Sequence, residues 1–77
     1  MMQLRKLFSL CEYAKKDNSL VTNHLQNDVL KDFLEHKKEI EYLYPIVEND
    51  KPFQHKLAID LAMVNDAIAF YSQINKG

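Results

Sequence analysis

The sequence predicts an all-α protein, a three-helix bundle whose chain runs up, down and up again. Apolar residues recur at helical spacing along most of its 77 residues, and no strand-like alternation competes with that pattern. The chain has one glycine, at position 77, and two prolines, so the tight turns of a β-sheet are hard to build. The helices are expected at about 2–16, 20–49 and 51–75, within a single small domain, 1–77.

The first predicted helix, 2–16, combines one broad apolar face with a basic end. Lys15 and Lys16 occupy its last turn, where cations interact favourably with the helix dipole. Residues 17–19, an Asp-Asn-Ser sequence, follow and predict a turn, because these side chains readily bond to nearby backbone amides. The apolar face consists of Leu4, Leu7, Phe8, Leu10, Cys11 and Ala14.

The second predicted helix, 20–49, has several candidate starts and a proline near its end. The residues that compete as N-caps are Ser19, Thr22, Asn23 and Asn27. The apolar line that follows consists of Leu25, Val29, Phe33, His36, Ile40, Leu43 and Val47. Pro45 removes one helical hydrogen bond, yet Ile46 and Val47 continue the apolar pattern beyond it. This favours a kink near Pro45 over a break at Tyr44.

The third predicted helix, 51–75, contains the most informative stretch of the chain, residues 57–71. Asp50 is its expected N-cap, with Pro52 in the first turn. Twelve of the fifteen residues in that stretch are apolar or aromatic. Eleven of these twelve form three ridges: Leu57, Leu61, Val64, Ile68 and Tyr71; Ile59, Met63 and Phe70; and Ala58, Ala62 and Ala69. A helix apolar nearly all round needs several packing partners, so we expect a homodimer that forms a larger helical bundle.

Charge and cysteine content limit the functional classes. The net charge of −1 gives no general attraction for nucleic acids or anionic membranes. Residues 1–18 carry +2, residues 19–50 carry −4 and residues 51–77 carry +1, so the second helix presents an acidic surface. No apolar stretch is long enough to span a bilayer, and a single cysteine fits a reducing compartment, so a cytoplasmic location is expected. The many Lys, Asn and Ile residues suggest a bacterial, phage or plasmid origin.

The acidic, cysteine and histidine side chains of the sequence form no recognisable catalytic, cofactor or metal site. Asp60 and Asp66 face different sides of the third helix, whereas catalysis by two carboxylates needs both to face one substrate. Cys11 is expected to be a small buried apolar residue, since a nucleophile needs an exposed, electropositive setting. His36 is expected to be partly buried and hydrogen-bonded, with Asp32 as a candidate acceptor. The sequence therefore predicts no enzyme, no cofactor and no metal.

Two groups of residues are candidates for protein–protein contacts. Tyr42 and Tyr44 lie near Pro45, with Phe53 across the next turn, and exposed aromatic residues commonly anchor interfaces. The third helix adds a ridge of small side chains that permits another helix, either the first one or a second copy, to approach closely. The members of that ridge are Ala58, Ala62 and Ala69.

The function expected from these features is protein–protein interaction without catalysis, as a regulator, adaptor, chaperone or immunity-type inhibitor. The acidic second helix and the region of Tyr42 and Tyr44 would contact an unknown protein partner. The alternative is a dimeric nucleic-acid-linked regulator or an antitoxin-like protein, which would need a basic stripe. The only residues that offer one are Arg5, Lys6, Lys15 and Lys16, so neither nucleic acid nor a membrane is an expected partner.

Overall fold

The computed structural model describes residues 1–74, with Leu20 described for its backbone only, and it confirms the all-α, three-helix architecture. Helix α1 spans Leu4–Lys16, a 3₁₀ turn spans Asn18–Leu20, helix α2 spans Asn23–Ile46 and helix α3 spans Lys51–Gln73. The predicted end of the third helix at residue 75 lies outside the described residues.

Helices α2 and α3 form a long antiparallel hairpin, and α1 covers part of one side of it. At 1.5 Å per residue, α2 and α3 are each roughly 35 Å long, whereas α1 is roughly 20 Å long. The N-terminal end of α1 lies beside the middle of α2, and its C-terminal end lies beside the last third of α3. The connecting end of the hairpin therefore projects beyond α1, and the molecule measures 44 × 19 × 19 Å.

Short polar side chains determine where the two long helices begin. The Thr22 side-chain oxygen accepts a hydrogen bond of 3.1 Å from the backbone N–H of Leu25. The Asp50 carboxylate accepts one of 3.2 Å from the backbone N–H of Phe53, as predicted for the N-cap of the third helix. Thr22 is thus the candidate cap that the structure uses, and α2 begins at Asn23, three residues later than predicted.

Pro45 lies inside α2, but the helix ends one residue after it. The last helical residue is Ile46, and the backbone N–H of Val47 closes the helix with a bond of 3.1 Å to the carbonyl four residues earlier. The helix therefore does not break at Tyr44, and it ends three residues earlier than predicted. It stops there because Asp50 must adopt a non-helical backbone conformation to cap α3, which leaves only a short turn between the helices.

Each end of the hairpin is closed by a glutamine from the opposite helix. At the connecting end, Gln54 Nε2 of α3 donates to the backbone carbonyl of Tyr44 at 3.1 Å. At the other end, Gln26 Nε2 of α2 donates to the backbone carbonyls of Tyr71 and Ile74, the latter at 2.8 Å. These bonds pair carbonyls that the last turn of a helix leaves without a partner, a position where glycine-based caps are common.

The core lies where the three helices meet. Phe33 of α2 is completely buried, and its ring centroid lies 5.9 Å from that of Phe8 on α1 and 6.1 Å from that of Tyr71 on α3. The buried apolar residues are Leu7, Cys11, Ala14, Val21, Val29, Phe33, Ile40, Leu57, Val64, Ala67, Tyr71 and Ile74. A single cluster of aromatic and aliphatic side chains therefore joins all three helices.

Helix α3 is buried along one side rather than nearly all round. In the ridge that begins at Leu57, Leu61 and Ile68 are only half-buried. Ala67 belongs to none of the predicted ridges, yet it is buried where α1 approaches α3. The exposed members of the other two ridges are Ile59, Ala62, Met63 and Ala69. Spare apolar surface is therefore present on α3, and the homodimer stays a prediction.

Candidate protein-interaction surface

One side of α2 carries a straight row of side chains in which four acidic residues are followed by two large apolar ones. The row consists of Asp28, Asp32, Glu35, Glu39, Tyr42 and Ile46. Its members are spaced alternately by four and three residues, and this spacing keeps side chains in line along a helix. We call this row the α2 stripe.

The α2 stripe offers unpaired carboxylates beside exposed apolar surface. The Tyr42 side chain is 70% exposed and that of Ile46 is 57% exposed. Glu35 and Glu39 are exposed, and neither forms an ion pair with any residue in the range 1–74. Asp28 lies 3.3 Å from an exposed histidine one turn earlier, a pair of small energetic value. Two of the four carboxylates in the stripe, Glu35 and Glu39, are therefore free to meet an external cation.

Asp32, the half-buried member of the α2 stripe, holds the N-terminal segment of the chain against α2. The backbone N–H of Met2 donates to Asp32 Oδ2 at 3.0 Å, and His36 Nε2 lies 2.8 Å from the backbone carbonyl of Met2. Because a carbonyl can only accept, His36 donates this bond. The predicted partly buried, hydrogen-bonded His36 is confirmed, but its acceptor is Met2 and not Asp32.

The predicted aromatic group is spread over two sides of the hairpin. Tyr42 and Tyr44 are two residues apart, and two helical steps rotate a side chain by about 200°. Tyr42 therefore lies in the α2 stripe, whereas Tyr44 lies elsewhere, with its carbonyl bonded to Gln54 of α3. Tyr44 and Phe53 are both exposed at the connecting end of the hairpin. Only Tyr42 adjoins the acidic surface.

The predicted alanine ridge on α3 is largely open. Ala62 and Ala69 are exposed, and Ala58 is half-buried. Ala62 borders the cleft between α1 and α3, whereas neither Ala58 nor Ala69 lines it. The ridge is therefore available to a second chain along most of its length.

The cleft between α1 and α3 encloses about 710 Å³ and is lined by charges of both signs. Lys15 Nζ lies 2.8 Å from Asp66 Oδ2 and 5.9 Å from the ring centroid of Phe70. Lys56 Nζ lies 3.3 Å from Asp60 Oδ2. Both aspartates of α3 therefore have structural partners, and Lys15 is already paired, which weakens the basic stripe that nucleic-acid binding would need.

Cys11 is buried against the core, as predicted for a small apolar residue. Burial raises the pKa of its thiol, an effect that outweighs the opposing influence of Lys15. A buried, protonated thiol is a poor nucleophile. Within residues 1–74, no group of three or more His, Cys, Asp or Glu side chains is placed to hold a metal ion. None of the helices described above combines the length and apolar character needed to cross a membrane.

Ile46 is the member of the α2 stripe that the sequence did not indicate. The sequence predicts it as a continuation of the apolar line, together with Val47. In the structure Val47 is half-buried against the core, while Ile46, one residue and about 100° away, faces outward. Its spacing of four from Tyr42 and seven from Glu39 was the available signal.

Comparison with known proteins finds no family model that matches the chain, and no curated protein or solved structure with significant similarity to it. The function is therefore inferred from the residues of this chain and their positions.

Proposed function

We propose that this protein acts without catalysis, by binding another protein through the α2 stripe. The observation that carries the proposal is the row of four carboxylates ending in Tyr42 and Ile46, both exposed. Carboxylates in a row complement a basic segment, and complementary charge speeds and orients association. A large exposed aromatic residue supplies the buried anchor that such interfaces need. Regulators, adaptors, chaperones and immunity-type inhibitors all depend on contacts of this kind.

The partner that fits the α2 stripe is a helix or extended segment with lysines or arginines at one end and an apolar pocket at the other. From Asp28 to Ile46 the stripe is about 27 Å long at 1.5 Å per residue. A single helical face of this length buries an area at the low end for specific protein complexes, which is typical of transient contacts. Because its charges are exposed, binding through it should weaken as salt concentration rises.

The charges of the protein favour a protein partner over nucleic acid, and its cysteine content favours a cytoplasmic location. The carboxylates of the α2 stripe would repel a phosphate backbone, and Lys15 is paired with Asp66 rather than free to bind phosphate. Cys11, the only cysteine in the chain, is an unpaired thiol, which is consistent with a reducing compartment such as the cytoplasm. We therefore propose a cytoplasmic protein that contacts a basic surface on its partner.

Replacing Tyr42 with alanine should remove most partner binding while leaving the fold unchanged. An anchor residue of this type contributes on the order of 2 kcal/mol or more, about a thirtyfold change in affinity. The measurement is affinity capture from the cells that produce the protein, with mass spectrometry, followed by calorimetry on the purified partner. The double variant Glu35→Lys/Glu39→Lys should also lose binding, and wild-type binding should weaken with added salt.

The matched control is Tyr13→Ala, because Tyr13 is as exposed as Tyr42, at 72%, but lies on α1. It should capture the same protein as the wild type. If no protein is captured by the wild type, or if capture survives both α2 variants, the α2 stripe is not the contact surface and the proposal fails.

We further propose that a second copy of the chain packs on the side of the hairpin opposite α1. Leu34, 46% exposed, lies two residues from both Asp32 and His36, which hold the N-terminal segment. It therefore lies about 200° round α2 from each of them. The open alanine ridge at Ala58 and Ala69 adds small side chains on α3. Burying this surface in a two-fold symmetric contact would supply the packing that a chain this short lacks.

The Leu34→Lys variant should convert a dimer into a monomer. Light scattering after size-exclusion chromatography should give twice the 9.1 kDa chain mass for the wild type and the single-chain mass for Leu34→Lys. Tyr42→Lys, a change of the same kind on another side of α2, should remain dimeric. A wild-type mass of 9.1 kDa across a dilution series would contradict the homodimer.

A further inference from the structure

An apolar crevice lies between the last turns of α1 and the first turns of α2, with Asp17 and Val21 of the connecting segment in its lining. It encloses about 330 Å³, which is at the lower end of the roughly 300–1,000 Å³ typical of small-molecule sites. Ala14, Val21 and Val29 form part of its wall, and Tyr71 reaches it from α3. Tyr13 and Leu25 also line it and are exposed, so they place apolar surface at its mouth. The crevice is remote from Tyr42 and Ile46.

Tyr71, a buried residue of the crevice wall, has a hydroxyl without a partner in the part of the chain that the structure describes. Tyr71 is 2% exposed, and no hydrogen bond joins its hydroxyl to any other group in residues 1–74. That part of the chain contains no fully enclosed side-chain oxygen or nitrogen without a partner, so the hydroxyl oxygen must reach open space. Tyr71 is part of the crevice wall, so the crevice is within reach of its hydroxyl. A tyrosine hydroxyl at the wall of an apolar crevice can donate one hydrogen bond to an acceptor on a bound molecule.

We propose that this crevice binds a small, uncharged apolar molecule with one carbonyl oxygen, which accepts a hydrogen bond from the Tyr71 hydroxyl. Small-molecule sites typically combine apolar walls with a few polar groups that fix the orientation of the ligand. An uncharged ligand fits because a carboxylate buried against these apolar walls would lose its hydration. Lys16 and Asp17, which also line the crevice, offset one another in charge. The site is independent of the α2 stripe and of the function proposed for it.

Two probe molecules of nearly equal size test the site, acetophenone, which has a carbonyl, and ethylbenzene, which lacks one. Amide NMR spectra of isotope-labelled protein, titrated with each probe, should show saturable shifts at Ala14, Val21 and Val29. The Tyr71→Phe variant should bind acetophenone roughly two- to tenfold more weakly, as expected for the loss of one neutral hydrogen bond. Its affinity for ethylbenzene should be unchanged. Tyr42→Phe, the matched control at an exposed tyrosine, should bind both probes like the wild type.

A second variant tests the location without altering Tyr71. Leu25→Trp places a larger side chain at the mouth of the crevice and should abolish the shifts from both probes. The proposal is overturned if neither probe gives saturable shifts, or if the shifts lie outside the crevice. It is also overturned if Tyr71→Phe binds acetophenone as well as the wild type does. Crevice signals that move with protein concentration alone would show that a second copy occupies the site instead.

Discussion

Replacing Phe33 with alanine should unfold most of this protein or lower its melting temperature by at least about 12 °C. Truncating a buried phenylalanine costs roughly 3–5 kcal/mol, and each kcal/mol is worth about 4–8 °C in a domain this small. Phe33 is completely buried, and its ring lies between Phe8 and Tyr71. The loss therefore weakens the contact of all three helices at once. Circular dichroism during heating and in urea is the measurement.

Two further variants separate this effect from general damage. Phe33→Leu keeps most of the apolar volume and should retain a cooperative transition at a reduced melting temperature. Tyr42→Ala, an exposed aromatic truncation on the same helix, should stay close to the wild type. A Phe33→Ala protein that melts like Tyr42→Ala would show that the aromatic cluster is not the centre of the core.

The protein should lose stability between about pH 10 and pH 12 because of Tyr71. Burial, with a smaller contribution from Cys11, raises the pKa of Tyr71 from 10.0 to about 12. Below pH 10 the phenol is neutral in both the folded and the unfolded chain, so its contribution is fully present. As the pH rises further, the unfolded chain loses its proton first, and unfolding becomes more favourable. By about pH 12 the loss is on the order of 2–3 kcal/mol.

Urea unfolding at a series of pH values, for the wild type and for Tyr71→Phe, measures this contribution. The two proteins share every other ionisable group, so the difference between the two curves isolates Tyr71. The wild type should lose more stability than Tyr71→Phe over this interval. Ultraviolet absorbance should also show one phenol that ionises late in the wild type and is missing from the variant. Parallel stability curves would mean that the folded protein accommodates the Tyr71 phenolate as readily as the unfolded chain does.

The helices could be predicted because their signals are local. The apolar spacing around Phe33 and Val64, the Asp50 cap and the lysines that end α1 are all readable within a few residues. These signals determine helix type and approximate length. They do not determine which side of a helix packs against which neighbouring helix. The burial of Ala67 depends on that packing, so it could not be predicted.

The start of α2 could not be predicted because several local signals have similar strength. Asp17 accepts hydrogen bonds from the backbone N–H of Ser19 at 3.1 Å and from its hydroxyl at 2.6 Å, which stabilises the 3₁₀ turn. These bonds also lower the pKa of Asp17. Val21 is then buried in the core, and Thr22 becomes the cap. The position of Val21 is set by tertiary packing, so no window of the sequence distinguishes Thr22 from its competitors.

Much of the candidate interaction surface could be predicted, but the contacts that shape it could not. The acidic character of the second helix follows from its composition. The exposure of Tyr42 follows from the helical periodicity of the apolar residues around it. The bonds that join Met2 to Asp32 and His36 connect positions at least 30 residues apart, and they have no local signature. They occupy Asp32, whereas Glu35 and Glu39 form no ion pair with any residue in the range 1–74.

Gln26 and Gln54, which close the two ends of the hairpin, make the lengths of α2 and α3 depend on each other. At 1.5 Å per residue, Gln26 and Tyr44 are about 27 Å apart along α2, and Gln54 lies about 26–30 Å from Tyr71 and Ile74 along α3. A single inserted residue in one helix would rotate everything beyond it by about 100° and separate one glutamine from its carbonyls. Insertions of whole turns would preserve both closures only when both helices grow together. Evolution or design can therefore lengthen this hairpin only by matched additions to its two arms.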